Sequence, residues 1–252
     1  METADRLIHG LDRLLNLALI LVLLVILLYA GYALWDSYSV LNKANVTDEV
    51  LHYKPDQSDA SNPSLAELQG INADACAWLT VDDTNIDYPV LRGDTNSKYL
   101  NIDIYGVYSL GGSVFLDYRS SGDFTDRYSL IYGHHMAGGM MFGDLEQFAE
   151  KTFFDKHATG WLYLPGRTCK LEIIAFLEVD AYKSPLFDLP LADGGLDVLT
   201  NHIEQDATYC RGTDLTDQDQ ILALSTCAEG TTNGRMILVT RMIETEQAGG
   251  ED

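Results

Sequence analysis

The hydrophobic positions of this chain follow two different patterns. Between Leu14 and Trp35 they are nearly continuous, with Asn16 the only strongly polar member. That run is about 22 residues, or roughly 33 Å of helix at about 1.5 Å per residue, which is long enough to cross a bilayer. A secretory signal peptide has a shorter apolar part, about 7 to 15 residues, and ends at an A-x-A-like cleavage site. Ala30-Gly31-Tyr32-Ala33 lacks that site, so the segment is expected to remain as an anchor. Beyond residue 63 the apolar positions come instead in short runs divided by turn residues. These predict strands over residues 77–81, 86–91, 113–118, 128–132, 160–164, 169–179, 220–227 and 235–243, with Pro165-Gly166 as the tightest hairpin.

Two stretches break the strand pattern with apolar residues three and four apart. Phe142, Leu145, Phe148 and Ala149 form one, and Leu196, Leu199 and Ile203 the other. Both predict amphipathic helices laid over the strands. A shorter helix is expected to start at Ser64 as its N-cap, with Glu67 as capping-box partner and Leu65, Leu68 and Ile71 on one face. Upstream of it the chain is polar and aperiodic and ends in a Pro-rich and Asp-rich loop. The expected organisation is an anchor at 1–35, a linker at 36–63, a folded domain at 64–245 and a polar tail at 246–252. Eight short strands with turn-rich spacing predict a mainly β fold with accessory helices, an antiparallel or mixed barrel preceded by a single membrane helix.

Charge narrows the partners. The net charge is −22, and a chain this acidic cannot easily assemble the basic face that nucleic-acid binding requires. Orientation in the membrane is nearly balanced by charge alone, with Arg6 and Arg13 before the span and Lys43 and Lys54 after it. The large domain on the C-terminal side predicts a cytoplasmic N-terminus and an extracellular domain, with Tyr29, Tyr32 and Trp35 as an outer aromatic belt.

Four cysteines, Cys76, Cys169, Cys210 and Cys227, are too few and too scattered for a disulfide scaffold or a zinc cluster. Cys227 differs from the others. It closes the apolar run Ile221-Leu222-Ala223-Leu224-Ser225-Thr226 and precedes a polar, glycine-containing loop, so it is expected at a strand mouth, where reactive thiols sit. Arg235 opens the following strand, and an antiparallel return would bring it back beside Cys227. Arg241, further along that strand, is the alternative. Tyr132-Gly133-His134-His135 supplies two imidazoles. A metal-dependent hydrolase using both of them is a competing reading, although no third ligand stands at zinc-like spacing.

Leu224-Ser225-Thr226-Cys227, followed by Gly234-Arg235-Met236 and preceded by Tyr132-Gly133-His134, resembles the class B sortases. The resemblance extends in order through the segments at 71–79, 86–90 and 94–100. It implies a membrane-anchored cysteine transpeptidase of Gram-positive bacteria, built on an eight-stranded barrel. Such an enzyme cuts a C-terminal sorting signal of an exported protein, holds the acyl fragment as a thioester, and passes it to an amine of peptidoglycan precursor or, in some members, a pilin lysine. On this resemblance Cys227 is the nucleophile, His134 rather than His135 the acid and base, and Arg235 the oxyanion partner. Asn96, Leu100, Tyr132 and Ser225 become substrate contacts, and the stretch 182–193, with Asp188 and Asp193, an acidic wall. A signal beginning Asn-Pro is implied, and no cofactor or metal. The chemistry fits these residue types: a thiol near pKa 8.5 is only about a few per cent thiolate at neutral pH, and it needs a base to attack an amide. The polar C-terminus carries no sorting signal of its own, and Asn62-Pro63 reads as linker. A tethered binding module without chemistry is the remaining alternative.

Overall fold

The computed structural model describes residues 2–44, 48–56, 61–189, 194–212, 214–227 and 233–245. The chain divides into two compact units, residues 1–42 and 43–252. The first is a single helix, α1 (Glu2–Ala44), which runs unbroken past Trp35. Within it, residues 9–38 are long and apolar enough to cross a membrane, and their leucines, isoleucines and valines are exposed.

The second unit begins with two short helices, α2 (Asp48–Leu51) and α3 (Pro63–Ile71). Val50 of α2 and Leu65 and Leu68 of α3 pack with Trp78, Leu91 and Tyr163 in one buried cluster. The cap of α3 differs from the expectation. Asn62 holds the N-cap position in the left-handed region (φ 48°), and the Ser64 hydroxyl is buried two residues past the cap position. The Asn62 amide does not cap the helix either. Its Nδ2 donates to the carbonyls of Leu164 and Arg167 and to the Thr168 hydroxyl, which pins the helix start to a hairpin about a hundred residues away in sequence. Ile71 is exposed rather than on the packed face.

The strands are β1 (Ala75–Val81), β2 (Asp87–Leu91), β3 (Val114–Leu116), β4 (Tyr128–Tyr132), β5 (Thr159–Leu164), β6 (Arg167–Asp180), β7 (Ala207–Cys210), β8 (Gln220–Cys227) and β9 (Gly234–Glu244). They hydrogen-bond in the order β5-β1-β2-β3-β4-β8-β9-β6, and the β5–β6 pairing closes the ring into an eight-stranded barrel. Pro165-Gly166 makes that closing hairpin. Leu164 faces Arg167 across it, and Gly166 takes φ 81°, a value a type II turn assigns to glycine. A ninth strand, β7, adds to the eight expected. Its four residues are too few to show a period, and β6 recruits it at Ala175 to Leu177, beyond the point where β5 has left.

Both faces of the central strands are buried, which is why they read as continuous apolar runs. Leu222 and Leu224 of β8 face the interior with Leu238 of β9. Ile221 and Ala223 face outward with Ile237 and Val239, and there they meet Leu196, Leu199 and Ile203 of α5 (Leu196–Asp206). In β6 the register shifts between Ile173 and Ala175. A bulge inverts the alternation, so Leu171 and Ile173 point inward before it and Phe176 after it. The other expected helix is a 3-10 turn, Gly143–Ala149, followed by α4 (Lys151–Lys156). Phe142, Leu145 and Phe148 belong to the interior cluster, so this segment fills the barrel where an outer cover was expected.

Candidate active site

The pairing of β4 with β8 is parallel, with Tyr132 opposite Ser225. Two carboxyl ends therefore lie side by side at one mouth of the barrel. The chain leaving β4 carries Gly133 and His134, and β8 ends in Cys227. The antiparallel partner β9 enters at the same mouth, and its Arg235 stands opposite Cys227 in the ladder. A cleft of about 290 Å³ opens there, lined by Asn96, Leu100, Phe115, Tyr132, Gly133, His134, Ser225, Thr226 and Arg235. Topology thus gathers residues from four distant parts of the sequence. The side chain of Cys227 and residues 228–232 lie outside the described part of the structure, and so do residues 190–193.

Gly133 is dictated by packing. A Cβ at that position would stand 2.7 Å from the Phe142 ring. That close approach, with the hydrogen bond from the Phe142 N–H to the His134 carbonyl (2.9 Å), sets the path of the chain at the imidazole. His134 Nε2 lies 2.8 Å from the Leu100 carbonyl. A carbonyl only accepts, so Nε2 carries the hydrogen in this arrangement, and Nδ1 is the nitrogen left to exchange a proton. His135 turns to a different partner, the Glu146 carboxylate at 2.9 Å, and does not line the cleft.

Arg235 donates from Nη1 to the Gly234 carbonyl at 2.8 Å, a local bond that leaves most of its five N–H donors for other partners. Arg241 lies toward the far end of β9, opposite Ile221, and is tied to Glu172 at 2.7 Å. Ser225 and Thr226 are buried, and their hydroxyls have no hydrogen-bond partner among the described residues although both residues line the cleft. The described residues of the stretch 182–193 do not line it. Tyr182 is exposed, and the Phe187 carbonyl accepts from Arg119.

Phe115, Thr226 and Asp117 belong to this region without a local sequence signal strong enough to mark them. Phe115 stacks against Tyr132 with ring centroids 5.4 Å apart. Thr226 occupies an inward strand position where the alternation predicts core. Asp117 is fully buried one residue past β3, and the Tyr132 hydroxyl donates to it at 3.1 Å. Burial, with the Asp117 charge beside it, pushes the Tyr132 phenol well above its ordinary pKa.

The other thiols are poorly suited to chemistry. The Cys76 sulfur is enclosed against the Val90 carbonyl at 3.4 Å, and burial pushes its pKa up to about 12. Burial also raises that of Cys169. Cys210 is free and exposed on β7, away from the cleft.

No protein-family model matches the chain. Sortase B of Listeria monocytogenes is 30% identical over 241 residues, covering 91% of this chain and 97% of the relative. The crystal structure of a Streptococcus pyogenes class B sortase involved in pilus biogenesis is 42% identical, with TM-score 0.65, covering 71% of this chain and 97% of that one. Sortase B from the type II pilus of Streptococcus pneumoniae is 37% identical, with TM-score 0.61, covering 71% and 98%. A likeness that runs the length of a sortase B, on a barrel of the same fold, leaves one assignment: the chain belongs to the class B sortases and is a cysteine transpeptidase.

Proposed function

We propose that the protein is held in the cell membrane by residues 1–35, with a cytoplasmic N-terminus and an extracellular catalytic domain, and that it attaches exported proteins to an amine through Cys227. The cleft at the β4, β8 and β9 mouth carries this reading. It surrounds the strand end at Cys227 with an imidazole, a guanidinium and two hydroxyls that lack a partner among the described residues, while Cys76 and Cys169 are enclosed.

The Cys227 thiol gives its proton to His134, its sulfur attacks the scissile carbonyl of a C-terminal sorting signal, and Arg235 meets the oxygen as it gains charge. The C–N bond breaks as His134 gives a proton to the departing amine, which leaves a thioester. An incoming amine then loses a proton to His134, attacks the thioester and releases the thiol. Asn96, Leu100, Tyr132 and Ser225 hold the signal, which begins Asn-Pro.

The acceptor in this reading is peptidoglycan precursor. A pilin lysine is the second reading, favoured by two similar structures that are described as pilus sortases. The test is mass spectrometry of the full-length protein in detergent, incubated with Asn-Pro signal peptides and then with each amine. The wild type should gain an acyl adduct that Cys227→Ala and His134→Ala lack. Arg235→Ala should slow adduct formation about 10²-fold to 10³-fold, the usual consequence of losing one oxyanion donor. Undiminished adduct in the Cys227 or His134 variant would refute the assigned roles.

A further inference from the structure

The Asp117 carboxylate has no exposed surface, yet it collects donors from three side chains. Arg119 donates from Nε to Oδ1 (2.9 Å), from Nη2 to Oδ2 (2.8 Å) and from its backbone N–H to Oδ1 (3.0 Å). Asn96 Nδ2 donates to Oδ2 at 2.8 Å, and the Tyr132 hydroxyl donates to the same oxygen at 3.1 Å. Burial works against the charge, but Arg119 and the other donors outweigh it and hold the carboxyl below the usual range. Asp117 is therefore an anion at neutral pH and can only accept.

Two of its donors line the cleft, and the carboxylate dictates what they offer there. The single hydroxyl hydrogen of Tyr132 is committed to Asp117, so toward the cleft its oxygen presents only lone pairs. Asn96 spends Oδ1 on the Tyr118 N–H (3.0 Å) and one Nδ2 hydrogen on Asp117, which leaves one N–H. The wall thus presents one acceptor and one donor, the complement of an amide. A carboxylate can use only the donor, and it would face the Tyr132 lone pairs.

We infer that Asp117 is a positioning residue whose buried carboxylate sets the donor and acceptor polarity of this wall, so that the cleft selects an amide-bearing substrate group over its carboxylate counterpart. The inference rests on reading the cleft as the sorting-signal site, and it names the atoms that enforce the choice. Asp117→Asn is isosteric and neutral. With its amide nitrogen at the Oδ2 place it no longer accepts from the Tyr132 hydroxyl or the Asn96 amide, which frees the phenolic hydrogen to point into the cleft.

The test measures binding by calorimetry to the full-length Cys227→Ala protein in detergent, so that turnover is not needed. The probes are two peptides identical except for Asn or Asp as the first residue of an Asn-Pro signal. The Asn peptide should bind at least tenfold more tightly, and adding Asp117→Asn should reduce that preference to less than threefold. A role confined to folding would weaken both peptides together and leave their ratio intact, which would overturn the inference. Binding of neither peptide would also overturn it. If Asp117→Asn does not fold by circular dichroism, Tyr132→Phe removes the same lone pairs and must reduce the same ratio. Failure of the acyl-transfer reading shows separately, as a missing adduct on the wild-type enzyme beside an intact binding preference.

Discussion

Strands β8 and β9 build both the barrel interior and its mouth, and the two stretches obey opposite rules. In the interior, Leu222 and Leu224 meet Leu238, and none of these side chains has a polar atom to satisfy. One or two residues further along, Ser225 and Thr226 are buried almost as deeply, at 1% and 2% exposure, with hydroxyls that lack a partner among the described residues. An unsatisfied buried hydroxyl costs about 1–3 kcal/mol, a penalty the three leucines avoid by carrying no polar side-chain atom and Thr240, opposite Leu222, avoids by donating to the Leu222 carbonyl. Burial alone therefore does not separate core from site. Polar burial without a partner, next to a cleft, does.

The sharpest way to break this comparison is to empty the interior. Leu224→Ala removes a fully buried side chain and should destabilise the domain by about 2–5 kcal/mol in thermal or denaturant unfolding. The acylation rate of the molecules that remain folded should change less than threefold. A large loss of rate at unchanged stability would erase the boundary between interior and mouth.

A smaller effect is expected at the join between the two. Gly133→Ala forces a Cβ against the Phe142 ring and should cost about 1–3 kcal/mol of stability. Because His134 follows directly, its acylation rate should fall further than that of Leu224→Ala. Equal losses in the two variants would mean that Gly133 serves packing alone.

The smallest effect has the opposite sign. Thr226→Val deletes a hydroxyl with no partner among the described residues while keeping the branched shape, so the domain should gain up to about 1 kcal/mol while peptide affinity falls. A lower melting temperature would reveal that the interior rule already extends to Thr226.

Much of the barrel was legible because strand periodicity is local. The runs around Leu79, Val90, Ile131, Leu162, Leu171, Leu222 and Leu238 each became a strand. What failed was either not periodic or not local. Strand β7 exists because β6 has a vacant edge, which nothing in Ala207 to Cys210 announces. Ser64 looks like a cap in a local window, but Asn62 takes that position because its amide finds three acceptors around the β5–β6 hairpin. The Phe142 segment shows a helical period, yet it tightened into a 3-10 turn where its aromatic rings fill the barrel. Asp117 gave one faint signal, a lone acid at the end of an apolar run.

By itself the sequence determined an apolar helix, the set of barrel strands, and the residue types that a thiol-based acyl transfer needs, because each is written in neighbouring side chains and their spacing. It also placed the chain in its family through the ordered segments around Cys227. Only the tertiary structure decided which groups meet. The parallel pairing of β4 and β8 set Gly133 and His134 beside the end of the cysteine strand, and the antiparallel ladder set Arg235 opposite Cys227. The separation of His134 from His135 by partner, and the network by which Asp117 orders Asn96 and Tyr132, arise from contacts between residues far apart in the chain. Such contacts depend on strand order and on what remains to be satisfied once the core has closed, and neither is carried by any local stretch of sequence.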